Sequence, residues 1–289
     1  MNGSRGDGGM VVQVSSLAEP GLAPYRSLRA GALHHSAGMF VAEGEKVVRR
    51  LLASDIHIVS FLLTSAWLET LRVQIAQRAP GATIFLADDS LLDSIIGIQL
   101  HKRLMAIGKI PEAVPFHSLS KSGGSIHVAL EGIADAENMG MIIRNCAAFG
   151  VRSLMVGSDS CSPWLRRSVR VSVGTIFSLP IHTSGDILET LGSARREGGW
   201  RVVGTTPHGG ETDARDLLRR LRAENTVLLF GSEASGLSDR ARGICDALYT
   251  LPMSGAIDSI NVANAVAVVV HDVLRSAGGN IKNLEHGSS

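Results

Sequence analysis

The chain has 289 residues, of which 45% are hydrophobic and 19% are charged, and its formal net charge is +1. This composition predicts a soluble globular protein with room for one large or two ordinary domains. The near-zero net charge excludes a broadly basic protein, so any nucleic-acid partner has to be argued from local features.

The first ten residues are polar and rich in glycine, without the apolar core of a secretory signal. No apolar run is long enough to cross a bilayer. Three widely spaced cysteines, Cys146, Cys161 and Cys245, fit neither a disulfide framework nor a zinc cluster. We therefore expect a cytoplasmic protein with no membrane segment and no metal.

The N-terminal part of the chain alternates between strand and helix patterns. Residues 1–24 are predicted to be flexible because they contain many glycines together with Pro20 and Pro24. The elements predicted after them are strands over 39–43, 56–64, 83–87 and 102–107, and helices from Glu45, over 66–77 and near 90–92. This order predicts a small α/β domain over residues 25–117, followed by a Ser/Gly linker over 118–124.

The remainder of the chain predicts a second α/β domain over residues 125–280, with a tail over 281–289. Its predicted elements are strands over 126–130, 153–156, 200–205, 226–230 and 247–253, and helices over 140–149, 186–197 and from about Ile260. Several of these strands are almost continuously apolar, which favours a mainly parallel sheet that is covered on both faces.

Two of the apolar runs each end in a loop of small polar residues, at 231–236 and 254–259. Open α/β sheets bind ligands in such loops, at the carboxyl ends of their strands. The first loop has the spacing G-x-x-x-x-G, but Leu237 and Ser238 follow where a phosphate-binding loop needs lysine. No G-x-G-x-x-G opens a helix, so neither a triphosphate site nor a dinucleotide site of the usual kind is indicated.

A few polar residues in these patterns are candidates for a site. Asn138 fits a helix N-cap, Glu233 lies in the glycine loop, and Asn261 fits a cap for the last helix, shared with Ser259. Each also has an ordinary interpretation as a cap or a solvated turn residue. Arg144 has an ordinary interpretation as part of an ion pair at a helix surface. Its apolar neighbours predict a largely buried helix, however, where its charge would need an acid, a phosphate or a cavity. The residues alone predict a pocket and leave its ligand open.

Three segments together resemble the SpoU family of RNA ribose methyltransferases, within the trefoil-knotted SPOUT superfamily. They are residues 135–150, 229–238 and 251–265, and the resemblance covers roughly residues 125–277. Residues 170–174 match a weaker element of the family. Residues 40–48 resemble the ribosomal-protein-like α/β domain that is often fused to these enzymes and holds RNA.

The resemblance implies a fold, a reaction and partners. The C-terminal domain would be a trefoil-knotted α/β domain that binds S-adenosylmethionine and forms a homodimer. The reaction would be methylation of a ribose 2′-hydroxyl in ribosomal or transfer RNA, with ribosomal RNA favoured. An alternative is a catalytically inactive RNA-binding or ribosome-assembly protein on the same fold. A nucleotide-binding regulatory protein is a third interpretation, which the missing lysine disfavours.

The resemblance also implies roles for individual residues. Arg144 would be catalytic, with Asn138 as its companion, Glu233 organising the pocket, and Ser259 and Asn261 shaping the reactive centre. The residues assigned to the cofactor are Thr205, Thr206, Gly231, Leu251, Met253, Ser259, Ile260 and Asn261. The residues assigned to RNA are Lys46, Arg49, Arg166, Arg167 and Arg170.

Overall fold

The computed structural model describes residues 3–6, 9–16, 18–26, 37–96, 104–119, 125–221, 225–254 and 259–276. The chain forms two compact units. The first consists of Met1–Glu112 together with Trp164–Phe177, and the second of Ala113–Pro163 together with Ser178–Ser289. A segment from the second half of the sequence therefore belongs to the first unit.

The first unit is built on a mixed sheet of six strands with helices beside it. Its strands are β1 (Gly3–Gly6), β2 (Gly9–Gln13), β3 (Met39–Glu43), β4 (Ile58–Leu63), β5 (Thr83–Leu86) and β6 (Leu104–Lys109). Its first four helices are α1 (Ala23–Arg26), α2 (Glu45–Leu52), α3 (Ser65–Arg78) and α4 (Asp89–Ile96). The strand order is β1-β2-β5-β4-β6-β3, in which only the β2–β5 and β5–β4 pairs are parallel.

The N-terminal segment differs from the flexible stretch predicted for residues 1–24. Strand β2 pairs with β5 in parallel, and Val14 and Leu22 are buried in the core of the first unit. Glycines and prolines predicted a loose segment, but the apolar residues after Met10 gain more by covering the sheet. Burial against the sheet, and not local composition, therefore determines the structure of this segment.

The other elements of the first unit follow the predicted pattern, with ends displaced by one or two residues. In α2, the buried face is formed by Val47, Val48, Leu51 and Leu52. Helix α4 begins at Asp89, close to the helix predicted near 90–92, and the Asp88 carboxylate caps it by accepting a hydrogen bond from the Leu91 amide at 2.8 Å. The sequence pattern also predicts a short helix over residues 27–35, and this stretch lies outside the described ranges.

The second unit is built on a sheet of six parallel strands. These strands are β7 (Ile126–Leu130), β8 (Leu154–Gly157), β9 (Ile181–Ser184), β10 (Trp200–Thr205), β11 (Asn225–Phe230) and β12 (Ala247–Tyr249). Their order is β12-β10-β11-β7-β8-β9, and every neighbouring pair is parallel. The helices of this unit are α5 (Ala136–Ala148), α7 (Ile187–Glu197), α8 (Ala214–Leu221), α9 (Asp239–Ile244) and α10 (Val262–Ser276). The predicted α/β class and mainly parallel sheet are confirmed.

Helix α6 (Arg166–Val171) lies in the segment that joins the first unit. There the ring of Phe40 on β3 packs against Trp164 and Phe177, with ring centroids 5.0 and 5.4 Å apart. The Arg50 guanidinium on α2 donates to the carbonyl of Val173 at 2.6 Å. These contacts hold residues 164–177 against β3 and α2.

Two predicted details of the second unit are wrong. Helix α5 is capped by Asp135, whose carboxylate accepts from the amides of Glu137 and Asn138, so Asn138 is not its N-cap but lies within its first turn. Strand β12 ends at Tyr249 and does not reach Met253, because the Thr250 amide donates instead to the carbonyl of Glu211.

No helix in the described ranges combines the length and the hydropathy that a membrane-spanning segment requires.

Candidate functional site

A cavity of about 560 Å³ lies in the second unit where β10, β11 and β12 end. Its walls are the loops after these strands and one face of α10. Since the three strands are parallel, their carboxyl ends meet at one edge of the sheet, which is where such sheets hold ligands. Small-molecule sites have volumes of roughly 300–1,000 Å³, so the cavity is of the right size for one.

The structure brings together all the residues that the sequence assigned to the cofactor. Thr205 and Thr206 end β10, Gly231 follows β11, and Leu251 and Met253 follow β12. The remaining ones precede α10 and also line the cavity, namely Ser259, Ile260 and Asn261. Their position is thereby established, and their part in binding stays a prediction.

Three of the candidate catalytic residues form a hydrogen-bonded chain. The side-chain amide of Asn138 donates to Oε1 of Glu233 at 2.7 Å, and its carbonyl oxygen accepts from the amide of Asn261 at 2.9 Å. The Asn261 carbonyl oxygen accepts in turn from the amide of Ala263, as expected of a helix cap. One chain of contacts therefore joins α5, the loop after β11 and the start of α10. Glu233 and Asn261 line the cavity, whereas Asn138 supports both from behind.

Arg144 lies on the exposed face of α5, so the expectation of a buried arginine is wrong. The buried face of this helix is formed by residues at helical spacing, Met139, Ile142, Ile143 and Cys146. Arg144 points away from that face, and among the described residues it makes no hydrogen bond or ion pair. Its guanidinium is available to a ligand or to another chain.

The loop after β11 has a tightly folded backbone. A Cβ atom on Gly231 would lie 2.2 Å from the backbone carbon and oxygen of Gly236, so only glycine fits there. Gly236 has a φ of 67°, in the left-handed region that glycine occupies without strain. At the end of the loop, the amide and hydroxyl of Ser238 donate to the carboxylate of Glu131 at 3.1 and 2.6 Å. These contacts fix the position of Glu233 within the loop.

Three of the lining residues that the sequence analysis did not assign to the site have titratable side chains, namely His208, Arg242 and Tyr249. His208 and Tyr249 could have been found, because they lie at or just after the carboxyl ends of two strands. Arg242 had no such signal, since it comes from α9, and only the packing of that helix brings it to the cavity.

The cysteines in this unit are not activated nucleophiles. Burial, and after it the negative charges of Asp135 and Glu233, raises the pKa of Cys161 to about 11. Burial also raises the pKa of Cys245 to about 11 and that of the fully buried Cys146 still further. These thiols stay protonated at neutral pH. Within the described residues, no group of three or more His, Cys, Asp or Glu side chains is placed to hold a metal ion.

The residues assigned to RNA all lie in the first unit, in two different situations. Arg166 donates to the buried carboxylate of Glu43 at 2.6 Å, and Arg170 lies 3.6 Å from its other oxygen. Arg49 pairs with Glu45 on the surface of α2, and Lys46 and Arg167 are exposed. Arg166 thus has a structural partner, and RNA binding by the set stays a prediction.

The chain matches proteins of one enzyme family. Residues 125–271 match the SpoU rRNA Methylase family. An uncharacterised tRNA/rRNA methyltransferase of Mycobacterium tuberculosis is 32% identical over 275 residues, which cover 93% of this chain and 94% of that protein. A 23S rRNA (uridine-2′-O)-methyltransferase of Streptomyces viridochromogenes is 35% identical over 143 residues, 48% of each chain.

A solved structure agrees with these relatives. The AdoMet-bound rRNA methyltransferase of Sinorhizobium meliloti superposes with a TM-score of 0.79 at 25% identity, covering 92% of this chain and 98% of that one. The described fold, the cavity at the strand ends and these likenesses agree on one assignment. The chain belongs to the SpoU family of RNA methyltransferases.

Proposed function

We propose that this chain transfers the methyl group of S-adenosylmethionine to a ribose 2′-hydroxyl of RNA, with ribosomal RNA favoured over transfer RNA. The observation that carries the proposal is the cavity after β10, β11 and β12, with the chain Glu233–Asn138–Asn261 at its edge. The relative from Streptomyces viridochromogenes is named for transfer to a 2′-oxygen of ribosomal RNA, which supports this acceptor.

The described residues fit this cofactor. The cavity offers apolar surface from Leu251, Val262 and Val269 for the adenosine and the methionine chain. Backbone groups after the strand ends, with Ser259 and Asn261, offer hydrogen bonds to the polar parts. Thr205 and Thr206 would lie on the adenosine side, and Gly231, Met253 and Ile260 would make backbone contacts.

When bound there, S-adenosylmethionine supplies a methyl group on a positively charged sulfur that leaves as a neutral thioether. The ribose 2′-oxygen would bond to the methyl carbon while the electron pair of the broken carbon–sulfur bond passes to sulfur, and the hydroxyl proton would pass to water. The residues of the chain therefore have to align the hydroxyl and assist the loss of its proton.

Arg144 would bind the phosphate beside the target nucleotide and stabilise the oxygen as it loses its proton. An arginine carries a permanent positive charge and five donors, which suits it to both tasks. Its exposure and its lack of a partner among the described residues leave it available for RNA. Glu233, through Asn138, would hold Asn261 and the start of α10 in place for the same reaction.

The proposal extends to assembly and topology. A second copy of the chain would cover the exposed face of α5 and complete the site around Arg144, which makes the active form a homodimer. The segment after β12 would pass through the loop formed by the chain before it and so form the trefoil knot. The first unit, carrying Lys46, Arg49 and Arg167, would hold the RNA. An acceptor 2′-hydroxyl selects RNA over DNA, because DNA lacks that group.

The test is methyl transfer from radiolabelled S-adenosylmethionine to ribosomal and transfer RNA from cells that lack this protein. Label in a dinucleotide that resists alkaline hydrolysis is expected, since a 2′-O-methyl group protects the adjacent phosphodiester. Calorimetry with the same protein measures cofactor binding separately. Binding of cofactor and RNA without any transfer would overturn the proposal in favour of an RNA-binding protein on the same fold.

A further inference from the structure

The side chain of Tyr249 connects the end of β12 to the last helix of the chain. Tyr249 is 1% exposed, and its hydroxyl donates a hydrogen bond to Oδ2 of Asp272 on α10. Burial, and after it the interaction with Asp272, raises the pKa of Tyr249, so the hydroxyl retains the proton that it donates. The two residues are 23 positions apart in sequence.

This hydrogen bond joins the two ends of a segment whose described residues form one wall of the cavity. Between Tyr249 and Asp272 the chain supplies Leu251 and Met253, residues 259–262, and then Ala265 and Val269 to the lining. The wall therefore begins immediately after one partner of the hydrogen bond and ends one helical turn before the other.

Helix α10 presents these residues on a single face. Val262, Ala265, Val269 and Asp272 follow one another at intervals of three, four and three residues, which places them in one row along the helix. The first three line the cavity, and Asp272 continues the row without being among the lining residues. It therefore does not contact a ligand in the cavity directly, and it acts on the lining through Tyr249 and the placement of the helix.

Tyr249 is fixed on its other side by the loop after β10. The Thr206 amide donates to the carbonyl of Tyr249 at 3.0 Å, and the Gly210 amide donates to the hydroxyl oxygen of Thr250 at 2.9 Å. A Cβ atom on Gly210 would lie 2.7 Å from that oxygen, so the approach requires glycine. Tyr249 thus joins the loop that carries Thr206 and His208 to α10.

We propose that Tyr249 and Asp272 are positioning residues that hold the cavity wall formed by Leu251, Met253 and residues 259–269 in its binding arrangement before the cofactor arrives. Fixing a binding surface in advance removes the cost of ordering it when the ligand binds. The inference rests on the proposed function, since it takes S-adenosylmethionine as the ligand of this cavity. It extends that function to a residue, Asp272, that does not contact the cavity.

The test compares cofactor affinity and amide exchange in the full chain. Asp272→Ala and Tyr249→Phe are each expected to weaken S-adenosylmethionine binding about tenfold by calorimetry, the range that a hydrogen bond to a charged group gives. Asp272→Asn, whose amide oxygen can still accept, is expected to recover most of the affinity. The double variant is expected to be no weaker than either single one, because both remove the same contact. Without cofactor, amides of residues 259–269 are expected to exchange faster in both single variants.

The other tyrosine of the chain provides a matched control. Tyr25 is fully buried in the first unit, and its hydroxyl hydrogen-bonds with Oγ of Ser60 at 2.8 Å. Tyr25→Phe is expected to lower the unfolding temperature without changing cofactor affinity or exchange at residues 259–269. Unchanged affinity and exchange in Asp272→Ala and Tyr249→Phe would overturn the inference. Absence of binding by the wild-type chain would contradict the proposed function, and amide exchange would still decide whether the contact orders the wall.

Discussion

Asn138 and Glu233 are joined by a hydrogen bond of 2.7 Å between a buried amide and an exposed carboxylate. Asn138→Asp keeps the shape of the side chain but puts a second carboxylate where the donor was. The two carboxylates repel, so the contact is lost and the loop after β11 is displaced. We expect kcat/KM for methyl transfer to fall about 10- to 100-fold, the equivalent of roughly 1–3 kcal/mol.

A second amide on the same helix gives a comparison for Asn138. Asn145 donates to the carbonyl of Ala263 at 2.9 Å and has no contact with Glu233. Asn145→Ala should lower stability by about 1 kcal/mol with a smaller effect on transfer than Asn138→Asp. Equal losses of kcat/KM in the two variants would show that the hydrogen bond between Asn138 and Glu233 contributes no more to methyl transfer than the bond of Asn145 does.

Arg144→Ala should separate transfer from stability. Because Arg144 is exposed and makes no hydrogen bond or ion pair with the described residues, its removal should change the free energy of unfolding by less than about 0.5 kcal/mol. Cofactor affinity should stay unchanged, while transfer should fall on the order of 100-fold or more. Chemical denaturation, calorimetry and the transfer assay measure the three quantities. Arg196→Ala, which removes a surface arginine paired with Glu189, is the control for charge alone.

Gly231→Ala should displace the loop after β11, which forms part of the cavity wall. The new Cβ atom would overlap the backbone of Gly236 at 2.2 Å, so the loop would have to move. We expect cofactor affinity to fall more than about tenfold by calorimetry. Gly243→Ala is the matched substitution, because nothing lies within 4 Å of its Cβ position and alanine suits a helix better. It should keep full affinity, and a loss as large as that of Gly231→Ala would contradict this explanation.

The parts of the site that could be predicted from sequence are those set by strand ends. Apolar runs indicated β10 and β11, and parallel strands deliver the residues that follow them to one edge, so Thr206 and Gly231 meet in the cavity. The exposure of Arg144 could also have been predicted from the sequence, although the helix was expected to be largely buried. Its buried neighbours Ile142, Ile143 and Cys146 define a face by their spacing, and Arg144 falls outside it.

Contacts between distant segments could not be predicted in this way. Nothing in the local pattern indicates that Trp164 and Phe177 pack on Phe40, because such packing depends on three-dimensional fit and not on periodicity. The same holds for Arg166, whose basic cluster suggested a nucleic-acid surface while its partner, Glu43, lies far away in sequence.

Arg166→Ala should destabilise the first unit. The Glu43 side chain is fully buried, and loss of its main partner leaves a buried charge that costs roughly 3–5 kcal/mol, with Arg170 at 3.6 Å offsetting part of that cost. Urea denaturation measures the change. Arg49→Ala breaks the more exposed pair with Glu45 and should cost less than about 1 kcal/mol.

A double variant tests whether the loss in Arg166→Ala comes from the buried charge. Glu43→Leu together with Arg166→Met replaces the pair by apolar side chains and should recover most of the stability, because no charge is then buried without a partner. If the double variant were as unstable as Arg166→Ala, the packing of the arginine stem and not the charge of Glu43 would be the cause.

His127 should make the second unit sensitive to acid. It is fully buried on β7 and hydrogen-bonds with the hydroxyl of Ser153 at 2.7 Å. Burial, assisted by the charge of Arg152 and opposed by a hydrogen bond with Asn225, lowers the pKa of His127 from 6.5 to about 4. The folded chain therefore takes up a proton less readily than the unfolded chain, whose histidine titrates near pH 6.5.

The sign of the effect follows from this difference. The contribution of neutral His127 is complete above about pH 6.5 and is lost as the pH falls towards 4, by about 3 kcal/mol in total. Denaturation of the wild type and of His127→Gln between pH 7.5 and 4 measures it, and subtracting the two curves cancels the carboxylates that both proteins share. The difference in unfolding free energy should shift by that amount in favour of the variant at low pH. Parallel curves would contradict this prediction, because they would show that His127 takes up its proton as readily in the folded chain as in the unfolded one.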